Sequence, residues 1–337
     1  MSIVILAPNW LGDAMMALPA IRDVRRHFSG QTVSVAARPS IAPVFRAVPD
    51  IDRIIVLERG NEPSQIRADI GILLPNSFRS AWILKKAGVK ERWGYRSDFR
   101  RPLLTRSVRK PKGRVSFPEY YSNLVRQLGI ETGPLTAHLR VPDAISAKAL
   151  TLLRERGWQT GQPLVAIAPG AAFGHAKRWP PKRYADLAAA LIDEGAACVV
   201  VGRSEDRDAA RDIKGIDLIG QTDLMMLMGV ISHCNVAIAN DSGAMHLAGV
   251  LGVPVVGIFG PTDERYSTPV TPYGDSRSVA VISESVFCRP CFLADCPIDH
   301  RCMKRIPTER VHETVRRFLQ TGSHARQPRM GAEESHA

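Results

Sequence analysis

Three polar clusters stand where a strand-like run gives way to a helix-like one, and their residue types suit phosphate and proton chemistry. The first is Asp241-Ser242-Gly243, inside "NDSGAMHLAGVLGVPVVGIFGPT" at 240–262. The flanking runs "CNVAIA" and "VPVVGIFG" read as buried strands, and "SGAMHLAGVLG" is long enough for roughly three turns of helix. In an open α/β sheet such a joint lies at the carboxyl edge, where ligands bind and the first helical amides point outward, unpaired and partly positive. An anion is the natural guest. Asp241, Ser242 and His246 do not make a hydrolase triad, because they are neighbours on one helix start and no G-x-S-x-G elbow occurs. His246, about one turn into the helix, either faces the same ligand or packs inward.

The second cluster is "APGAAFGHAKRWPPKRYADL", where a strand ends at Ala168 and a loop of small residues leads to Lys177 and Arg178. Small residues let backbone approach a phosphate, and Lys177 can neutralise one; the alternative is a solvated basic loop. It is not a Walker A loop, since G-x-x-x-x-G-K-[ST] is absent. The third is "PNWLGDAMMALP", in which Asp13 follows Gly12 at the mouth of the first strand-loop-helix unit. That carboxylate either projects into a cleft as a base or caps the helix. The glycines there do not spell G-x-G-x-x-G, which argues against a dehydrogenase. The Asp-x-Asp pairs at 50–52 and 206–208 have ordinary capping explanations.

The elements that must position these residues alternate along nearly the whole chain, which argues for parallel sheets covered by helices. With 337 residues the chain fits two domains of about 150 residues. They are expected at 1–157 and 158–320, divided near 157–163, with a disordered tail at 321–337. Both halves begin with a strand, a glycine-bearing loop and a helix, in "VILAPNWLGDAMMALPAIRDV" and "VAIAPGAAFGHAKRWPPKRYADLAAAL". Residues 85–114 carry twelve Lys or Arg against Glu91 and Asp98 and read as solvated loops on one face of the first half. The net charge of +12 points to a polyanionic partner, whether a phosphorylated substrate, a membrane surface or nucleic acid. No recognition motif supports nucleic acid. No apolar run approaches the roughly 20 residues of a membrane span, and "MSIVILAPNW" lacks the basic start of a secretory signal, so a cytoplasmic location is expected. Cys198 and Cys234 fall in predicted strands as buried reduced thiols. Cys288, Cys291, Cys296 and Cys302 form C-x2-C-x4-C-x5-C beside His300, which either holds structural zinc or stays as thiols.

Three blocks, "PNWLGDAMMALPAIRDVRRHF", "PGAAFGHAKRWPPKRYADLA" and "NDSGAMHLAGVLGVPVVGIFGPTDE", resemble in order and separation the ADP-heptose:lipopolysaccharide heptosyltransferases, glycosyltransferase family nine. The likeness covers about residues 3–319, and "FGHAKRWP" with "CRPCFLADCPIDHRCM" points to the branch that adds the second inner-core heptose. The resemblance implies a GT-B fold, α/β, with two Rossmann-like domains facing across a cleft: acceptor on the first, nucleotide sugar on the second. By motif, Asp13 matches the general base and Lys177 the diphosphate lysine. Asp241, Ser242, Gly243 and His246 match the nucleotide-sugar loop, with Ser where Thr is frequent. Asp206 falls where an acidic residue contacts the nucleoside, and Thr222 in a "G-x-T-x-L" turn.

The implied reaction is inverting, metal-independent transfer of heptose from ADP-heptose to heptosyl-Kdo2-lipid A, with no cofactor. A peripheral position on the inner face of the cytoplasmic membrane would set the basic first-half face against acceptor and anionic lipid. Two alternatives remain at this point. One is another family-nine transferase, acting on the first heptose or another core sugar. The other is a non-catalytic protein binding an anionic nucleotide or nucleic acid.

Overall fold

Runs such as "IVIL" and "VAIA" have no polar face, so they fold as strands covered on both sides. The computed structural model describes residues 1–322 apart from Asp50 and Asp275. The first half contains β1 (Ser2–Leu6), β2 (Thr32–Ala37), β3 (Arg53–Val56), β4 (Ile70–Leu73), β5 (Glu91–Tyr95) and β6 (Arg106–Val108). The second contains β7 (Leu164–Ala168), β8 (Ala197–Gly202), β9 (Ile216–Ile219), β10 (Val236–Asn240), β11 (Val255–Phe259) and β12 (Val279–Ser283). Helices α1 (Leu11–His27), α2 (Glu62–Gln65), α3 (Phe78–Lys86), α4 (Phe117–Gln127) and α5 (Asp143–Glu155) come before β7. After it come α6 (Pro181–Asp193), α7 (Leu224–Ser232), α8 (Gly243–Val250), α9 (Glu264–Ser267), α10 (Arg301–Lys304) and α11 (Thr308–Gly322).

The first sheet runs β3-β2-β1-β4-β5-β6 and the second β12-β11-β10-β7-β8-β9, with every ladder parallel. Counted from its own first strand, each sheet has the doubly wound order 3-2-1-4-5-6, so the likeness between the halves is one of topology. In that order the chain reverses direction beside the first strand, opening a crevice at the carboxyl ends of the first and fourth strands. The three polar clusters leave from there: Asp13 after β1, Lys177 after β7, Asp241 after β10.

The halves meet along a seam. Leu139 N–H donates to the Val250 carbonyl at 3.1 Å and Ala137 N–H to the Thr271 carbonyl at 3.2 Å. Helix α5 packs on α7, where a Cβ on Gly229 would come within 2.8 Å of the Ala149 Cβ. At the crevice α1 crosses α8 on glycines: a Cβ on Gly12 would meet His246 Cδ2 at 2.9 Å, and one on Gly243 would meet the Leu11 Cβ at 3.0 Å.

Several expectations are corrected. Residues 85–114 are not a run of solvated loops, since they include β5, β6 and the 3-10 turn Arg101–Leu103. Within them Arg100 is fully buried, because backbone carbonyls replace water: its Nε donates to Tyr95 O at 2.9 Å, and Nη1 bonds Ser80 Oγ at 3.0 Å and also Pro75 O. Cys198 does lie in β8, but Cys234 sits in the turn between α7 and β10, where it is buried. Thr321 and Gly322 finish α11, and the rest of the expected tail, 323–337, lies outside the described residues. So does Asp50 of the first Asp-x-Asp pair, whereas Asp52 accepts the Val33 N–H at 2.7 Å.

One buried side chain fixes the loop that carries Lys177. Asn240, at the end of β10, donates from Nδ2 to Pro169 O at 2.7 Å. Its Oδ1 accepts the Trp179 N–H at 3.1 Å and the Tyr184 hydroxyl at 3.0 Å, so both ends of the loop are tied to one amide. Asn240→Ala leaves the buried Trp179 and Tyr184 donors without an acceptor, at about 1–3 kcal/mol each. A loss of about 3 kcal/mol is expected in urea unfolding, and an unchanged midpoint would show that the amide does not hold the loop.

Candidate active site

Asp241 follows β10 directly and is 6% exposed. It accepts Lys177 Nζ at 2.6 Å and Thr262 Oγ1 at 2.8 Å on the same oxygen, Oδ2, while His246 Nε2 stands 3.8 Å from Oδ1. Burial pushes the Asp241 carboxyl up, but His246 and Lys177 outweigh it and hold the group well below the usual carboxylate range. The carboxylate is therefore a fixed anion, and its charge keeps the Lys177 ammonium at the cleft. The Phe173 ring lies 5.4 Å from that ammonium.

Ser242 is the N-cap residue of α8, yet its hydroxyl makes no capping bond. Ser242 Oγ and His246 Nδ1 are both buried without a hydrogen-bond partner among the described residues. A buried polar atom left unpaired is costly, so these two atoms at a helix start mark a place for an anionic ligand.

Asp13 comes to this cluster from the other half. It is the third residue of α1, whose N-cap is Trp10, so Asp13 does not cap the helix. The half-buried carboxylate sits in the fields of His246, Lys177 and Asp241, and the Tyr121 hydroxyl of α4 also lowers its affinity for a proton. Burial raises its affinity for a proton, the charges of His246 and Lys177 and the Tyr121 hydroxyl lower it, and the net shift is upward. A carboxylate raised in this way is a stronger base than one in water.

Beside the cluster opens a cavity of about 600 Å³ lined from both halves. Its walls include Gly12 and Arg38 from the first and Gly170, Asp206, Thr222, Leu224, Ser242, Gly243 and Ala244 from the second. Asp206 is buried: Oδ1 pairs with Arg178 at 3.2 Å and Oδ2 accepts the Arg203 N–H at 3.1 Å. A Cβ on Gly170 would collide with it at 2.2 Å, so that glycine is needed for the wall. A second cavity of about 450 Å³ shares Asn9 and Arg38 with the first and is lined by Arg59, Glu62, Arg79 and Ser80.

The profile of glycosyltransferase family 9 (heptosyltransferase) matches residues 64–301, well over half the chain. The chain belongs to glycosyltransferase family 9. Lipopolysaccharide heptosyltransferase 2 of Escherichia coli (strain K12) is 28% identical over 304 residues, taking in 80% of this chain and 86% of that protein. Lipooligosaccharide heptosyltransferase 2 of Haemophilus ducreyi is 29% identical over 301 residues, with the same coverage of 80% and 86%. Among solved structures, E. coli ADP-heptose lps heptosyltransferase II superposes with a TM-score of 0.82 at 27% identity, covering 96% of this chain and 100% of that one. Asp13 lies outside the stretch matched by the family 9 profile, so its place in the site rests on geometry.

In this glycosyltransferase the expected residues form two adjoining groups. Asp206, Thr222, Ser242 and Gly243 line the larger cavity, whereas Asp13, Lys177, Asp241 and His246 gather in the charged cluster beside it. Three members of the site had no signal of their own in the sequence. Tyr121 is one of several aromatics on an amphipathic helix, Asn240 reads only as the first residue of the polar joint, and Thr262 follows a strand as any loop residue does.

Of the two readings of the cysteine segment, the arrangement of the described residues gives zinc no support. Among the described residues no group of three or more His, Cys, Asp or Glu can hold a metal ion, and the cysteine segment is engaged otherwise. Cys291 N–H and Phe292 N–H donate to Pro261 O at 3.0 Å, His300 Nε2 lies 2.6 Å from Ala176 O, and Ala176 N–H donates to Ala294 O at 2.9 Å. The segment thus braces the Lys177 loop and the loop after β11.

Tyr121→Phe removes a hydroxyl that lowers the Asp13 pKa, so that pKa rises further. A base works only when ionised, so activity falls as pH drops through this value, and the acid limb of kcat/KM is expected to move to higher pH. The loss is expected on the acid limb alone, with the rate on the higher-pH plateau little changed. A superimposable pH profile would remove Tyr121 from the site.

Proposed function

We propose that this family 9 enzyme moves heptose from ADP-heptose to the lipid A inner core, adding the second heptose to heptosyl-Kdo2-lipid A. The observation that carries the reading is the meeting of Asp13 with the Lys177–Asp241–His246 cluster where α1 crosses α8. ADP-heptose occupies the larger cavity, with the nucleoside toward Asp206 and Thr222 and the diphosphate toward Ser242, the first amides of α8 and Lys177. Asp13 accepts the proton of an acceptor hydroxyl as its oxygen bonds to the anomeric carbon from the face opposite ADP. The bond from that carbon to the diphosphate oxygen breaks, and the configuration inverts. Negative charge gathers on the leaving diphosphate, where Lys177 and the helix start oppose it without a metal.

The acceptor enters by the smaller cavity. Arg38, Arg59 and Arg79 line it, and Glu62 steers Arg79 through a 2.6 Å ion pair, which suits a sugar bearing carboxylate or phosphate. The enzyme works from the cytoplasmic side, held peripherally against an anionic membrane by its first half. No helix among the described residues is long and apolar enough to cross a membrane.

The test is ADP release from ADP-heptose with heptosyl-Kdo2-lipid A, with and without EDTA. Acceptor-dependent release that survives EDTA is expected. In Asp13→Ala it should fall about 10²–10⁴-fold while ADP binding persists. No release by folded wild-type enzyme rejects this donor and acceptor, and release that needs a metal rejects the charge scheme.

A further inference from the structure

The outward face of α3 and the loop before Arg100 make a feature that the reaction does not use. On α3 the buried side holds Ser80, Ala81, Ile83 and Leu84, and the exposed side carries Phe78, Arg79, Trp82, Lys85 and Lys86. Phe78 is 45% exposed and Trp82 40%, and Lys86 Nζ lies 4.8 Å from the Trp82 ring centre. An ordinary surface helix shows charge alone on that face; here two aromatic rings stand among three cations.

The adjoining loop adds a third ring. Asp98 Oδ2 accepts the Phe78 N–H at 2.6 Å, and Ser97 Oγ donates to Asn76 O at 2.9 Å, so the loop lies against the start of α3. Phe99, next to Asp98, is 95% exposed. Asp98 and Phe99 both have left-handed backbone, at φ 49° and 53°, a conformation rare for a residue such as Phe. The buried Arg100 guanidinium holds that kink by bonding the Tyr95 and Pro75 carbonyls. An aromatic side chain is thus held in solvent by a strained backbone on a buried charged anchor.

The cations around the rings have few partners. Lys85, Lys86 and Arg101 are exposed and make no ion pair among the described residues, and the nearby Asp98 carboxylate is engaged by Phe78 N–H. The face also borders the smaller cavity, to which Arg79, Ser80 and Ile83 of α3 contribute. Aromatic rings at headgroup depth, ringed by Lys and Arg, are what an anionic lipid surface holds.

We propose that Phe78, Trp82 and Phe99, with Lys85, Lys86 and Arg101, form the face that docks this enzyme on an anionic lipid bilayer. The proposal rests on the reading that the acceptor is anchored in a membrane. Docked there, the enzyme turns the mouth of the smaller cavity toward the lipid, so the acceptor sugar enters without leaving the membrane.

The test uses the full chain and two assays. The first is co-sedimentation with vesicles of phosphatidylethanolamine and phosphatidylglycerol, against phosphatidylcholine alone. The second is ADP release on a deacylated, water-soluble acceptor. Wild type should sediment with the anionic vesicles, less so as salt rises. The triple variant Phe78→Ser, Trp82→Ser, Phe99→Ser should lose at least tenfold in vesicle affinity and keep its turnover on the soluble acceptor. Lys85→Glu with Lys86→Glu should lose the preference for anionic lipid. Equal vesicle binding by wild type and the triple variant, or no wild-type binding, overturns the proposal. Soluble turnover is read separately, so its failure counts against the transferase reading and not against the docking face.

Discussion

The site depends on how closely α1 and α8 approach at their first turns. Two glycines permit it: Gly12 lies under the His246 ring and Gly243 against Leu11. Within a helix glycine costs about 1 kcal/mol relative to alanine, so local propensity does not explain its presence at Gly12. The contact does, because any Cβ there would push the first half away from the His246 ring. The same contact brings a carboxylate from one sheet edge to the ammonium and helix start of the other. Neither half holds both the Asp13 carboxylate and the Lys177–Asp241–His246 cluster.

A charged cluster at such a joint is stable only if its members satisfy one another. Asp241 is buried, and an unpaired carboxylate there would be costly, yet Lys177, Thr262 and His246 surround it so well that the ionised form is favoured. Asn240, one residue earlier, does for backbone and hydroxyl groups what Asp241 does for charge, tying the Pro169 and Trp179 ends of the Lys177 loop. Adjacent residues at the end of one strand therefore set both the shape of the Lys177 loop and its electrostatics. Asp13 is treated differently: burial outweighs its favourable partners, so it is left more basic than a surface carboxylate, as proton acceptance requires.

Much of this was legible in the sequence. Apolar runs without a polar face predict strands of parallel sheets, and polar residues at their carboxyl ends predict a ligand edge; both sheets and all three clusters follow that logic. What could not be read depends on contacts distant in sequence. Tyr121 has the periodicity of any core aromatic until α4 is seen beside α1. Arg100 reads as one more cation in a basic run, but a ring of backbone carbonyls replaces its water. The cysteine spacing leaves zinc and thiols both open, and it gives no hint of the bracing bonds the segment makes to Pro261 and Ala176. Spacing along a chain shows which side chains can be near one another, whereas the satisfaction of nearby backbone groups decides which are.

The most direct test of this account is the steady-state kinetics of Gly12→Ala beside its affinity for ADP. Alanine improves helix propensity at this position, so any loss comes from the collision with His246. Displacing a base by about 1 Å can cost about 100-fold in rate. The expected result is a fall in kcat of that order in an enzyme that still folds and still binds ADP. Wild-type kcat in a folded Gly12→Ala enzyme would contradict it, because catalysis would then not depend on how closely the two halves meet.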